Sequence, residues 1–155
     1  VDTARAHFYD AILIAQDIKS LKNISTIFTY VGNLERDIGN DRRARFAYRK
    51  ALDTYREISD IKGEANLHWN VGYMERGLEN YDAALNSYNA ARNLFKQSNS
   101  VVNEANVVKY MARLEKTLGS SDKAGVYYNE AATLYASAGR TASLEALRNE
   151  AGQLL

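Results

Sequence analysis

Residues Glu64–Phe95 read EANLHWNVGYMERGLENYDAALNSYNAARNLF. Leu67, Val71, Met74 and Leu78 recur at helical spacing, and so do Ala84, Tyr88, Ala91 and Phe95. Each set marks one apolar stripe along a helix. Between them lies a short polar turn, so the stretch predicts two helices folded back on each other. Small residues beside aromatics in the second stripe let helix axes approach closely while the rings fill the space alongside.

The same pattern returns 40 residues up and down the chain, and an internal repeat decides the fold before any local detail does. One column holds Ala4, Ala44, Ala84 and Ala124, the next Phe8, Tyr48, Tyr88 and Tyr128, and the next Ala11, Ala51, Ala91 and Ala131. First helices supply Val31, Val71 and Met111, then Gly32, Gly72 and Ala112, and then Ile38, Leu78 and Leu118. The stripes Ile27–Val31–Leu34–Ile38 and Val107–Met111–Leu114–Leu118 match the one in the central stretch. Gly39 and Gly119 suit left-handed helix stops, while Asn40, Asn80 and Ser120 suit the following N-cap. Ser20, Asp60 and Ser100 are candidate caps for first helices. Eight helices are predicted, over about 2–19, 22–38, 41–58, 61–78, 81–97, 101–118, 121–138 and 141–154, each near 25 Å long.

Composition agrees. The chain has 155 residues, 46% hydrophobic and 25% charged, with no proline and no cysteine. Absence of cysteine excludes disulfides and thiolate metal sites. A net charge of +1 gives no global field for nucleic acid or anionic lipid. No apolar run approaches the length that crosses a bilayer, and the start, VDTARAH, has neither a signal-peptide layout nor an initiator Met. These features set the expectation of a cytoplasmic protein without membrane or nucleic-acid partners.

Gly32, Gly39, Ala44, Tyr48 and Ala51 form a signature, repeated as Gly72, Tyr81, Ala84, Tyr88 and Ala91 and as Ala112, Gly119, Ala124, Tyr128 and Ala131. It resembles the tetratricopeptide repeat over essentially the whole chain. The usual unit is 34 residues; the longer 40-residue unit is similar to those of kinesin light chains and some bacterial regulators. The family's proline near the second helix's end is absent, and Glu35, Glu75 and Glu115 stand where an aromatic is usual. The resemblance implies an all-α solenoid of stacked antiparallel hairpins with a right-handed superhelix. It divides residues 1–155 into a partial unit 1–30, full units 31–70, 71–110 and 111–150, and the start of another at 151–155. The broken units at either end are consistent with a fragment of a longer protein, and open ends favour self-association.

The family's first helices line a concave surface that holds extended peptides. Matching slots here are Thr26, Thr29, Asn33 and Arg36; Asn66, Trp69, Tyr73 and Arg76; and Asn106, Lys109, Arg113 and Lys116. Their spacing of i, i+3, i+7 and i+10 keeps each set on one helix face. Asn pairs with peptide backbone through donor and acceptor, Trp and Tyr give stacking area, and Arg binds carboxylates. The implied function is a non-catalytic scaffold for an acidic or carboxylate-ended segment. Asn33 and Asn70 match the two asparagines of the family's carboxylate clamp, whereas Asn106 and Tyr110 stand where its Lys and Arg belong. Alternatives are a sensory module of a larger signalling protein and a self-associating array.

Other candidates read as structure. Glu35, Glu75 and Glu115 suit a ladder of polar pairs, each carboxylate meeting a tyrosine hydroxyl or a basic side chain. His7 and His68 lack metal-ligand spacing, and no cofactor motif occurs. His68 shares a column with Phe28 and Val108, which predicts packing. Arg42, Arg43, Arg45, Arg49 and Lys50 read as a solvated face.

Overall fold

The computed structural model describes residues 2–17 and 20–154; Val1, Ile18, Lys19 and Leu155 lie outside it, as does the side chain of Ala4 in the first alanine column. Among the described residues the chain is all-α. Its helices are α1 (Asp2–Asp17), α2 (Leu21–Asp37), α3 (Asp41–Glu57), α4 (Ile61–Gly77), α5 (Tyr81–Gln97), α6 (Val101–Thr117), α7 (Ser121–Ser137) and α8 (Thr141–Ala151). A single 3-10 turn, Gly152–Leu154, follows α8 and occupies the end of the last predicted helix. No helix among the described residues is long and apolar enough to cross a membrane.

From α2 onward one loop geometry closes the helices. Gly39, Ser59, Glu79, Asn99, Gly119 and Gly139 all have positive φ, between 52° and 78°. The amide of Gly39 donates to Arg36 O and that of Asn40 to Glu35 O, at 2.9 and 2.7 Å. Gly119 and Ser120 repeat the pair on Lys116 and Glu115, at 3.1 and 2.9 Å. Two such bonds close a Schellman turn and use up carbonyls that the helix end leaves over. Ser59, Glu79 and Asn99 pay the Cβ penalty of that conformation; the glycines do not.

The capping residues divide into two kinds. Ser20 accepts from Asn23 N at 3.4 Å, and Asp60 Oδ1 accepts from Gly63 N at 2.9 Å. Asn40, Asn80, Ser100 and Ser120 stand at the N-cap without a side-chain cap bond, contrary to the sequence expectation. The two asparagines turn their Nδ2 groups to buried carboxylates instead: Asn40 donates to Glu35 at 2.8 Å and Asn80 to Glu75 at 2.9 Å. Glu35, Glu75 and Glu115 are buried, so an N–H donor there outweighs a cap bond that water also supplies. For Glu35 and Glu75, the asparagine that opens the next helix is thus one partner of the carboxylate.

The chain forms two compact units, Val1–Val71 and Gly72–Leu155. In the first, α1 packs on α2 and α2 on α3. Ala44, Ala51, Tyr48 and Tyr55 are buried, and the Tyr48 and Tyr55 rings pack against Gly32 and Gly63. In the second, α5 packs on α6, α6 on α7 and α7 on α8. Its core joins Ala105, Val108, Ala112, Ala124, Tyr128, Ala131 and Tyr135 to Leu147 and Ala151, with Leu144 and Leu154 against it. A Cβ on Gly72 would stand 2.6 Å from the Tyr88 ring, so only glycine fits under that ring.

One predicted column does not reach the core. Ile38, Leu78 and Leu118 are 37%, 36% and 44% exposed. They sit where α2, α4 and α6 end, and the chain turns away before a neighbouring helix covers them. His68 is half-buried, 3.7 Å from Glu64, which Arg56 also bonds at 2.8 Å. Burial lowers the His68 pKa, with Glu64 opposing. Arg42, Arg43, Arg45, Arg49 and Lys50 are all exposed.

Candidate functional site

All the residues singled out for binding lie on first helices. In the unit Val1–Val71, α2 carries Asn33 and Arg36, and α4 carries Asn66, Trp69 and Asn70. Asn66 is exposed; Trp69 and Asn70 are half-buried. The Tyr48 hydroxyl donates to Asn33 Oδ1 at 2.8 Å, and Arg36 reaches Asn33 Oδ1 and Tyr48 Oη, both at 3.4 Å. Arg36 also pairs with Asp37 at 2.8 Å. Burial pushes the Tyr48 pKa up to about 12, with Arg36 opposing.

In the unit Gly72–Leu155, the end of α4 supplies Tyr73 and Arg76, and α6 supplies Asn106, Lys109, Tyr110 and Arg113. Tyr110 is the hub. Its ring centroid lies 5.0 Å from the Arg113 guanidinium carbon, 5.9 Å from that of Arg76 and 5.9 Å from Lys109 Nζ. Arg76 also stands 5.1 Å from the Tyr73 ring, which is 41% exposed. Tyr73 meets Tyr110 edge to face at 6.4 Å, and Tyr88 meets it at 6.2 Å. Cations over ring faces are held by the ring's quadrupole and keep their N–H donors outward for other acceptors.

A carboxylate from α8 closes one side of this cluster. Arg113 Nε and Nη2 donate to the two oxygens of Glu150, each at 2.6 Å. The Tyr128 hydroxyl donates to the same carboxylate at 3.0 Å. The fork from Arg113 holds the Glu150 carboxyl below its usual range, against burial, with the Tyr128 bond assisting. The same hydrogen bond raises the pKa of Arg113. Burial and the charge of Arg113 lower that of Lys109, against Glu150. Arg113 is therefore already engaged within the chain. Among the described residues, Arg76 and Lys109 meet no carboxylate in an ion pair.

The tyrosine hydroxyls differ sharply. Asn33 takes that of Tyr48, Glu150 that of Tyr128, and Asn106 that of Tyr135, the last at 2.5 Å. Tyr88 Oη is buried and has no hydrogen-bond partner among the described residues. Burial pushes its pKa up to about 12, with Arg76 opposing. Asn33 and Asn106, expected to hold a peptide backbone, thus use their oxygens on buried tyrosines, and those bonds leave the Nδ2 ends uncommitted.

Sequence reasoning missed Glu150, Tyr88 and Tyr128 as members of the site. A signal exists: Tyr30, Asn70, Tyr110 and Glu150 share one 40-residue column, and Glu150 is its single carboxylate.

Comparison with known proteins gives a family match and similar solved structures. The profile described as soluble NSF attachment protein, SNAP, matches residues 1–147. The crystal structure of BtubC (BKLC) from P. vanneervenii has a similar fold, with a TM-score of 0.76 at 17% identity; the match covers 99% of this chain and 72% of that one. No curated protein sequence matches the chain.

Proposed function

Because this chain belongs to the soluble NSF attachment protein family, we propose that it is a non-catalytic adaptor whose first-helix faces hold an acidic segment of a partner protein. The family's name describes attachment to NSF, and the proposal keeps that general role, attachment of protein to protein, for this chain. The observation that carries the acidic specificity is the convergence of Arg76, Lys109 and Arg113 on Tyr110, against the single carboxylate of Glu150. Two cations are left to meet charge brought by a partner.

Within that reading the residues divide the work. In the unit Val1–Val71, Trp69 gives apolar area and Asn66 and Asn70 offer amides to an extended backbone; in the unit Gly72–Leu155, Tyr73 gives apolar area. Arg76 and Lys109 read negative charge. Asn33, Arg36, Asn106 and Arg113 act one step back, by fixing the tyrosines and α8 that shape the face. Charge at such a site sets specificity and on-rate as much as affinity.

The test is titration of an acidic peptide library against wild type, Trp69→Ala and Arg76→Glu. Arg76→Glu is preferred to a change at Arg113, which would also release Glu150. Each variant is expected to bind roughly tenfold more weakly, which corresponds to about 1.4 kcal/mol. Equal binding by all three proteins removes the assignment.

A further inference from the structure

The two hairpins of the unit Gly72–Leu155 solve the same problem differently. In one, the Tyr128 hydroxyl and Arg113 meet the Glu150 carboxylate. In the other, Tyr88 replaces Tyr128 and Tyr110 replaces Glu150. A phenol ring there takes the space of the carboxylate without providing its oxygens. Among the described residues the Tyr88 hydroxyl is left buried and without a hydrogen-bond partner, although buried hydroxyls are nearly always bonded. Arg76, whose guanidinium carbon lies 5.9 Å from the Tyr110 ring centroid, holds the repeat position of Arg36, whose guanidinium lies 3.4 Å from the Tyr48 hydroxyl. Lys109 Nζ lies 5.9 Å from the Tyr110 ring centroid.

We propose that Tyr88, Arg76 and Lys109 form a receptor for one carboxylate of a bound partner, in the position that Glu150 fills internally for the neighbouring hairpin. The proposal rests on the acidic-segment reading above and gives it an address. The incoming carboxylate displaces the Tyr110 ring by a side-chain rotation, accepts the Tyr88 O–H with one oxygen and takes Arg76 N–H donors on the other. Lys109 adds charge without fixed direction. Burial makes the hydroxyl bond selective: a weakly held anion over the ring face gains nothing from it, whereas a seated carboxylate restores a bond the fold otherwise lacks.

Calorimetric titration of the full chain tests this with two probes. N-acetylated, C-amidated hexaglutamate carries side-chain carboxylates, and N-acetylated hexaalanine carries one terminal carboxylate. Binding of either supports the receptor and identifies the source of the group. Tyr88→Phe is expected to weaken the bound probe at least about tenfold, the range for a hydrogen bond to a charged acceptor, without lowering the thermal midpoint. Tyr110→Glu, which supplies the carboxylate from within, is expected to abolish binding. Should Tyr88→Phe bind like wild type while Lys109→Ala weakens, general charge attraction explains the result; the receptor is overturned and the acidic-segment reading survives. Probe binding retained by folded Tyr110→Glu also overturns it. Wild type that binds neither probe overturns the receptor, and a silent peptide library as well removes the wider reading.

Discussion

Tyr88 and Tyr128 stand 40 residues apart in the same helix position, both fully buried. Around Tyr128 the first helices provide Ala112, Arg113 and Glu150; around Tyr88 they provide Gly72, Tyr73 and Tyr110. One hairpin has exchanged a small side chain and an ion pair for a bare backbone and two rings. The packing survives because the alanine columns on either side, Ala84 with Ala91 and Ala124 with Ala131, are equally buried. The polar bookkeeping does not, and it fails at one hydroxyl. A repeat protein tolerates that locally because each hairpin rests chiefly on its neighbours. The deviant hairpin is where a binding function is most easily placed, since sites are where local rules break.

The strongest way to break this comparison is at the glycine. Ala112 is native under Tyr128, yet Gly72→Ala would drive a Cβ to 2.6 Å from the Tyr88 ring and 3.2 Å from Ala84 O. Chemical denaturation is expected to show a loss of about 2 kcal/mol from overpacking, despite the better helix propensity of alanine. A neutral outcome would mean that Tyr88 is as loosely seated as Tyr128 and that the two sites are interchangeable.

Glu150→Ala removes what distinguishes the other hairpin. The expected cost is about 1–2 kcal/mol, kept low because the Arg113 side chain is 36% exposed and water screens it. The pH dependence sharpens the point. Glu150 has a folded pKa below its ordinary 4.5. Between those values the unfolded chain holds more protons, so the contribution is complete above about 4.5 and disappears as pH falls through the folded value. Wild type should therefore lose stability more steeply than Glu150→Gln on acidification below that point. Parallel acid profiles would place the carboxylate outside the network.

A smaller contrast lies in the turns. Gly119 has φ 77° and Glu79 has φ 60° at the same repeat position. Glu79→Gly is expected to stabilise by about 0.5–1 kcal/mol, less than the full left-handed penalty because glycine also loses more chain entropy on folding. Thermal unfolding checks it, and a loss of stability would show that the Glu79 side chain holds the turn.

The parts of the molecule written in side-chain periodicity were open to reading in advance. Ala44, Tyr48 and Ala51, with their copies, mark both the helix faces and the contacts, since packing depends on size and spacing alone. Gly39 and Gly119 gave away two turns, yet Ser59, Glu79 and Asn99 adopt the same backbone without a residue that demands it. Asn40 and Asn80 look like caps, and only the buried carboxylates five residues earlier redirect them. Ile38, Leu78 and Leu118 fit the apolar stripe by spacing but fall past the point where helices overlap. In the candidate site the residue types were legible and their commitments were not. Arg113 meets Glu150 across 37 residues, a pairing that depends on where α8 docks.

Among the described residues Tyr88 lacks the acceptor that Tyr128 has. Urea unfolding of Tyr88→Phe and Tyr128→Phe, each against wild type, measures that difference directly. Loss of the bonded hydroxyl in Tyr128→Phe is expected to cost about 1 kcal/mol or more, while Tyr88→Phe is expected to be neutral or slightly stabilising. Equal losses in the two variants would show that the Tyr88 hydroxyl already has an acceptor within the chain, and would contradict the account.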